Sequence, residues 1–278
     1  MSDATGAGEP VFAVPESASA ADFSRREFAL RELMDEPCTF AEYRRAALDL
    51  AQVNRVTGGY RPTLRFMERV LAGRKVGYEP LHVVDVGCAQ GAILREIQRW
   101  AARRSVPLRL TGVDMNPYAA RLARECDRRE HVAAKSIAWL TADAFAITLE
   151  HPVDVVISSL FTHHLSDADV VRFLRWSEAT ARVGWFVSDL ERSERAALWF
   201  GWMARVMRWD RMVKADGPVS FRRAFSTGDW EGYLREADVA GAQVFSVRPG
   251  RLCVEKLWSS SGSRCSAGRP ARGAGRRA

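Results

Sequence analysis

The sequence predicts an α/β fold: a doubly wound, mostly parallel sheet of seven strands, closed by an antiparallel C-terminal hairpin strand and preceded by helices. Three observations predict it. From Glu79 onward, short apolar runs alternate with helix-length amphipathic stretches, the pattern of successive βαβ units. The first run, LHVVDV at 81–86, leads into a glycine turn, and the second, LRLTGVD at 108–114, ends on an acid. The last two runs flank an Arg-Pro-Gly turn at 248–250, which suits a hairpin.

Taken in order, residues 1–22 are Ala, Ser, Gly and acid with little to bury, and are expected to form a disordered tail. Residues 23–78 read as helical. Phe23, Phe28, Leu30, Leu33 and Met34 recur at helical spacing, then Tyr43, Ala47, Leu50 and Val53, then Leu64, Met67, Val70 and Leu71. Pro37, Gly58–Gly59 and Gly73 punctuate them. The expected strands are Leu81–Val86, Leu108–Val113, Ile137–Thr141, Val153–Ser158, Gly184–Ser188, Gln243–Val247 and Arg251–Leu257. Between the first two, 92–104 places Ile93, Leu94, Ile97 and Trp100 on one helical face. Asn116 and Pro117 suit an N-cap and first helical residue. Ser166 or Asp167 caps the helix carrying Val170, Phe173 and Leu174, and Thr227 caps the one carrying Trp230, Leu234 and Ala237. Residues 259–278 are a low-complexity, basic and expectedly disordered tail.

Hydrophobic content of 47% and charged content of 27% are those of a soluble globular protein. No apolar run is long enough to span a bilayer, and MSDATGAGEP carries no positive leader, so a cytoplasmic location is expected. The five cysteines (Cys38, Cys88, Cys126, Cys253, Cys265) are scattered and never spaced as CxxC. Neither a disulfide frame nor a metal site is expected from them. Of the net charge of +7, the last twenty residues hold five arginines and no acid. A solvated end explains that tail better than a nucleic-acid contact.

The first glycine turn has specific chemistry. Gly87 and Gly91 let the chain turn sharply and approach a ligand without a Cβ clash. The helix that starts there offers free N–H groups to an anion. Asp85 can meet a cationic amine, Asp114 can accept from two ribose hydroxyls, and Asp143 can accept from an adenine amino group beside the Ala144 N–H. The loop reads G-x-x-x-G rather than the G-x-G-x-x-G of nicotinamide and flavin domains.

Four segments in order, Asp85-Val-Gly-Cys-Ala-Gln-Gly91, Gly112-Val-Asp-Met-Asn-Pro117, Ala142-Asp-Ala144 and Asp154-Val-Val-Ile-Ser-Ser159, resemble the motifs of class I S-adenosylmethionine-dependent methyltransferases. The resemblance covers residues 79–258 and implies a Rossmann-like methyltransferase domain with S-adenosyl-L-methionine as cofactor. It also implies that Asp85, Gly87, Gln90, Gly91, Asp114, Met115, Asp143, Ala144 and Ser158 line the cofactor site. The chain departs from the family at Ala89, where glycine is usual.

The acceptor side is read from the segment after the fourth strand. Methyl transfer from a sulfonium is an in-line displacement, so the protein chiefly aligns the nucleophile and excludes water. A hydroxyl acceptor must also lose its proton. His163 and His164 follow the fourth strand and are the candidate bases; packing or capping by one of them is the alternative. Asp189 either orients a base or caps the next helix. Residues 191–228 are aromatic and Arg-rich (Trp199, Phe200, Trp202, Met203, Trp209, Met212, Phe221, Phe225) and read as a cap over the substrate. Arg205, Arg208, Arg211, Arg222 and Arg223 are candidates to bind an acidic group, or form a solvated face. Residues 49–61 resemble the segment before the first motif in quinone-biosynthesis C-methyltransferases. With 161–164 and 217–225, the chain resembles bacterial methyltransferases found beside type III polyketide synthases. That implies a helical lid over 23–78 with Asn54 or Arg55 near the donor, and a small aromatic or polyketide-like acceptor methylated on oxygen. The alternatives are C-methylation of a quinone precursor and a non-catalytic cofactor-binding module. No nucleic-acid partner is expected, and the oligomeric state stays open.

Overall fold

The computed structural model describes residues 22–73, 79–133 and 136–258, so the C-terminal tail and all but Asp22 of the N-terminal tail lie outside the described residues. The helices are α1 (Phe40–Val56), α2 (Arg61–Ala72), α3 (Ala92–Ala102), α4 (Pro117–Arg129), α5 (Asp167–Thr180), α6 (Glu194–Val206), α7 (Arg211–Arg223) and α8 (Thr227–Glu236). The strands are β1 (Leu81–Val86), β2 (Leu108–Asp114), β3 (Ile137–Thr141), β4 (Val153–Ser159), β5 (Ala181–Leu190), β6 (Gln243–Val247) and β7 (Arg251–Leu257). They form one sheet in the order β3-β2-β1-β4-β5-β7-β6. β7 runs antiparallel to both neighbours, while β1 through β5 pair in parallel. This is a Rossmann-like, doubly wound topology, and the order reverses between β1 and β4, where ligands bind open α/β sheets.

Alternation along the strands divides the core between the two faces. Leu81 and Val83 of β1 join Phe66, Ile93, Leu94, Ile97 and Trp100 in one cluster. Val84 and Val86 join Val170, Phe173, Leu174, Trp185 and Trp230 in the other. Each Leu, Ile or Phe so enclosed contributes roughly 1.5–3 kcal/mol. A third cluster lies beyond the strand tips, where Ala46 and Val53 of α1 pack on Phe200, Met203, Trp209, Val213 and Phe221 of the α6–α7 region. Gly217 permits this closeness, because a Cβ there would stand 2.0 Å from the Phe200 ring.

The chain from Phe23 to Thr39 is not the helix its apolar spacing predicts. It is an irregular strap with one 3-10 turn, Leu33–Asp35. The body of the protein takes the donors a helix would use internally: Leu33 N and Met34 N donate to the Asp216 carboxylate at 2.7 and 3.1 Å, and Glu27 N donates to Arg222 O. The Arg26 guanidinium, threaded under the strap, donates to the carbonyls of Arg223, His163 and Leu165. Regular helix begins only at Thr39, which forms a capping box with Glu42. Among the other expected caps, Asn116 and Ser166 serve α4 and α5, but α8 is capped by Ser226, with Thr227 its first helical residue.

Candidate active site

A cavity of about 960 Å³ opens at the tips of β1, β2 and β4, and reaches from there to the strap and α6–α7. At the strand-tip end, Gly87 (φ +72°) and Gly91 (φ +78°) take left-handed conformations. A Cβ at Gly87 would meet Phe161 at 2.6 Å, and one at Gly91 would meet the Trp139 ring at 2.0 Å. Gly91 is thus required by packing beneath the loop and does not line the cavity, whereas Gly87, Cys88, Ala89 and Gln90 do. Asp114 ties the loop to β2: it accepts from Ala89 N and from Asn116 N, each at 2.8 Å. Ala89 reaches this bond at φ +45°.

Asp85 lines the same end, fully buried, and neither carboxylate oxygen has a hydrogen-bond partner. Burial, and then the nearby Asp114 charge, push its carboxyl well above the usual range. Gln90 is clamped by the buried Arg95 at both its side-chain and backbone oxygens. Met115 is 72% exposed at the cavity mouth. Asp143 and Ala144 also line it, with Asp143 accepting from Phe145 N. Ser158 differs: its hydroxyl donates to Val86 O inside the sheet, and Ser159 is the residue on the cavity wall.

The other end is assembled from distant segments. His163 Nδ1 lies 2.7 Å from Asp189 Oδ1, and Asp189 also accepts from Thr162 Oγ1 and His163 N. Asp189 therefore orients His163, and Ser193 caps α6. Burial alone would raise the Asp189 carboxyl; the His163 imidazole and these hydrogen bonds outweigh it and hold it below the usual range. His164 Nδ1 lies 3.0 Å from Asp35 Oδ1. Both Nε2 atoms face Glu32 of the strap, at 3.6 Å for His163 and 3.9 Å for His164. Burial pushes the Glu32 carboxyl up to about 7. Arg223 donates to Asp35 at 2.6 Å and to His163 O.

Glu32 and Asp35 carry no local sequence signal. The arginines expected at the acceptor are elsewhere. Arg205, Arg208 and Arg211 do not line the cavity, Arg222 pairs with Glu27, and Arg223 is a buried brace. Arg195, Arg248 and Arg251 are the ones on its wall, beside Trp199, Phe200 and Phe221. Asn54 is there too, bonded to Arg251, while Arg55 is not.

Fold and strand-tip cavity together define a Rossmann-like methyltransferase domain. Residues 83–184 match the family profile described as a methyltransferase domain. The match spans the sheet from β1 into β5. No curated protein sequence matches the chain. Among solved structures, a Nostoc punctiforme protein assigned as an O-methyltransferase superposes with a TM-score of 0.56 at 15% identity, covering 78% of this chain and 60% of its own length. The chain thus spans about 60% of that protein's length. The magnesium protoporphyrin IX methyltransferase of Synechocystis, solved with S-adenosylmethionine bound, gives a TM-score of 0.51 at 14% identity, covering 78% of this chain and 90% of its own. The C-methyltransferase domain of the citrinin polyketide synthase gives 0.53 at 12% identity, covering 71% and 52%. These likenesses are of fold. Among the described residues no helix is long and apolar enough to cross a membrane.

Proposed function

We propose that the protein transfers a methyl group from S-adenosylmethionine to a small aromatic or polyketide-like acceptor, at a hydroxyl oxygen. One observation carries this: a single cavity joins the strand tips to an aromatic-lined chamber that holds the buried His163 and the partly exposed His164. The residues at the tips fit the cofactor. The orphaned Asp85 carboxylate suits a cationic amine, the Asp114 oxygens are free to accept hydroxyl protons beyond their two backbone donors, and Ala144 presents its N–H beside Asp143. When bound, the cofactor supplies an electrophilic methyl on sulfur. Gly87, Gln90, Asp143, Ala144 and Met115 would line the space that holds it.

At the other end, Trp199, Phe200 and Phe221 offer flat apolar faces to an aromatic acceptor. His163 and His164 are the groups that remove its hydroxyl proton, with Asp189 and Asp35 fixing their ring orientation. The strap and α1–α2 act as the lid, and α6–α7 act as the substrate cap, keeping water from the transfer.

The test is calorimetric titration with S-adenosylmethionine, followed by incubation with a panel of phenols, pyrones and quinols. Release of S-adenosylhomocysteine with an O-methylated product is expected, and mass spectrometry separates O- from C-methylation. Asp114→Ala removes the carboxylate that holds the loop and is expected to weaken cofactor binding by about 2–3 kcal/mol, roughly 30- to 150-fold. Unchanged affinity removes Asp114 from the role.

A further inference from the structure

We infer that Glu32, His163 and His164 form a binding site for one divalent transition-metal cation at the acceptor end of the cavity. Cysteine spacing points to no metal site, and no spacing could reveal this one, because Glu32 stands more than a hundred residues before the adjacent pair His163 and His164. A ring nitrogen of each histidine and a Glu32 carboxylate oxygen lie within 4.8 Å of one another, and the two Nε2 atoms lie 3.6 and 3.9 Å from Glu32. Two nitrogens and a carboxylate oxygen are a donor set for zinc, manganese or ferrous iron. Ligands about 2 Å from a shared cation stand roughly 3–3.5 Å apart, so small side-chain rotations bring these atoms into range.

The outer contacts strengthen the assignment. Each histidine has its Nδ1 against a carboxylate, Asp189 for His163 and Asp35 for His164. That arrangement fixes the ring and leaves Nε2 free to bind, as in carboxylate–histidine–metal units. Glu32 is only 4% exposed, and its Oε1 has no hydrogen-bond partner. Arg223 approaches that oxygen only to 3.5 Å and spends its hydrogen bonds on Asp35 and the His163 carbonyl. Glu32, Asp35, Asp189 and Asp216 bring four carboxylates to this corner, against the guanidiniums of Arg223, Arg26 and Arg251, and a dication offsets the excess.

The site itself stands on this geometry; its use in catalysis rests on the proposed methyl transfer. With a cation bound, the two Nε2 atoms would be ligands, and a group in the cavity could complete the coordination. In that state the histidines hold the cation instead of taking the proton: an acceptor hydroxyl that coordinated there would ionise more readily, giving its proton to water before the lid closes, and its oxygen would be held for methylation.

The experiment uses the full, tag-free chain stripped with a chelator and titrated with Zn²⁺ by calorimetry, without acceptor or S-adenosylmethionine. One site of submicromolar affinity is expected, and Co²⁺ in its place should give visible d–d absorption bands. His164→Ala and Glu32→Gln should each weaken Zn²⁺ binding by about 100-fold or more, and the outer-contact variant Asp35→Asn by about 10- to 100-fold. Retained S-adenosylmethionine binding verifies that each variant is folded; a variant that fails this control is replaced in the argument by Asp35→Asn. No Zn²⁺ binding, or binding unchanged by these substitutions, overturns the site and leaves the proposed function standing. Zn²⁺ binding as expected but no methyl transfer to any acceptor sinks the proposed function and leaves the site.

Discussion

At the strand-tip end of the cavity, the polar groups are backbone turns and carboxylates drawn from residues 85–145, each within a few residues of a strand end. At the strap end they are side chains from four separated places: Glu32 and Asp35, His163 and His164, Asp189, and Arg223. The first end inherits its geometry from the sheet, so its precision comes with the fold. The second has no regular element of its own, and depends on long-range side-chain bonds made after the strap is laid down. Under the proposed function, a common cofactor and a variable acceptor would be served well by that division: the end made of strand tips resists change, and the end made of side chains can be altered residue by residue.

The largest expected effect attacks the inherited end through packing. Gly91→Ala adds a Cβ at φ +78° and places it 2.0 Å from the Trp139 ring. Left-handed strain and overpacking each cost about 1–3 kcal/mol, so thermal denaturation should show a loss of about 3 kcal/mol or more. Native stability would mean that Trp139 moves freely, and the rigid strand-tip end would lose its main support.

Arg26→Met strikes the other end. It keeps an apolar stem but removes the donors to the carbonyls of Arg223, His163 and Leu165. Loosening the strap by about 2 kcal/mol should raise the acceptor KM roughly 30-fold, while the cofactor Kd moves less than about twofold because the strand-tip end shares no partner with Arg26. Equal losses at both ends would erase the distinction between them.

How much of each end was legible follows from the same division. The Gly87 turn, Asp114 and the Asn116–Pro117 helix start are local patterns, and the structure brings all of them to the β1 and β2 tips. Ser158 and Ser159 show how local reading slips. Successive strand residues face opposite sides, and β4 runs one residue beyond its expected end, so Ser159 meets the cavity and Ser158 the sheet interior. The strap is the larger miss. Phe23 to Met34 has helical spacing, yet the decisive partners of its backbone are Asp216 and Arg222 on α7. Nothing near Glu32 in the sequence marks it, since burial beside two histidines is made by the tertiary fold. The Arg-rich stretch misled in the opposite sense: five arginines were candidates for a substrate anion, and Arg223 turned out to be a structural brace.

Asp85 gives a pH test of the strand-tip end. Its carboxyl is raised by burial and then by Asp114, so the folded protein holds a proton there that the unfolded chain releases. That contribution is fully present below the unfolded value, near 3.8, and is lost as pH rises through the folded value. Melting temperature measured without cofactor should therefore fall more steeply toward alkaline pH in the natural chain than in Asp85→Asn. Cofactor binding reverses the preference, because a cationic amine favours the carboxylate, and the natural chain should release a proton on binding that Asp85→Asn does not. Identical pH profiles would place the cofactor's amine elsewhere.

The smallest effect is expected at Ala89. Its φ of +45° costs an L-residue about 1–2 kcal/mol, which Ala89→Gly removes. Glycine also adds about 0.4–1 kcal/mol of unfolded-state entropy, so the net gain in stability should be within about 1 kcal/mol. The N–H to Asp114 survives the change, because it belongs to the backbone. Cofactor Kd should then stay within about threefold, a difference of about 0.7 kcal/mol. The methyl group is the only atom set that differs, so a gain of tenfold or more would show that it obstructs the cofactor directly. In that case the strand-tip end is as open to side-chain tuning as the strap end, and the division between an inherited half and an adjustable half fails at its most conservative position.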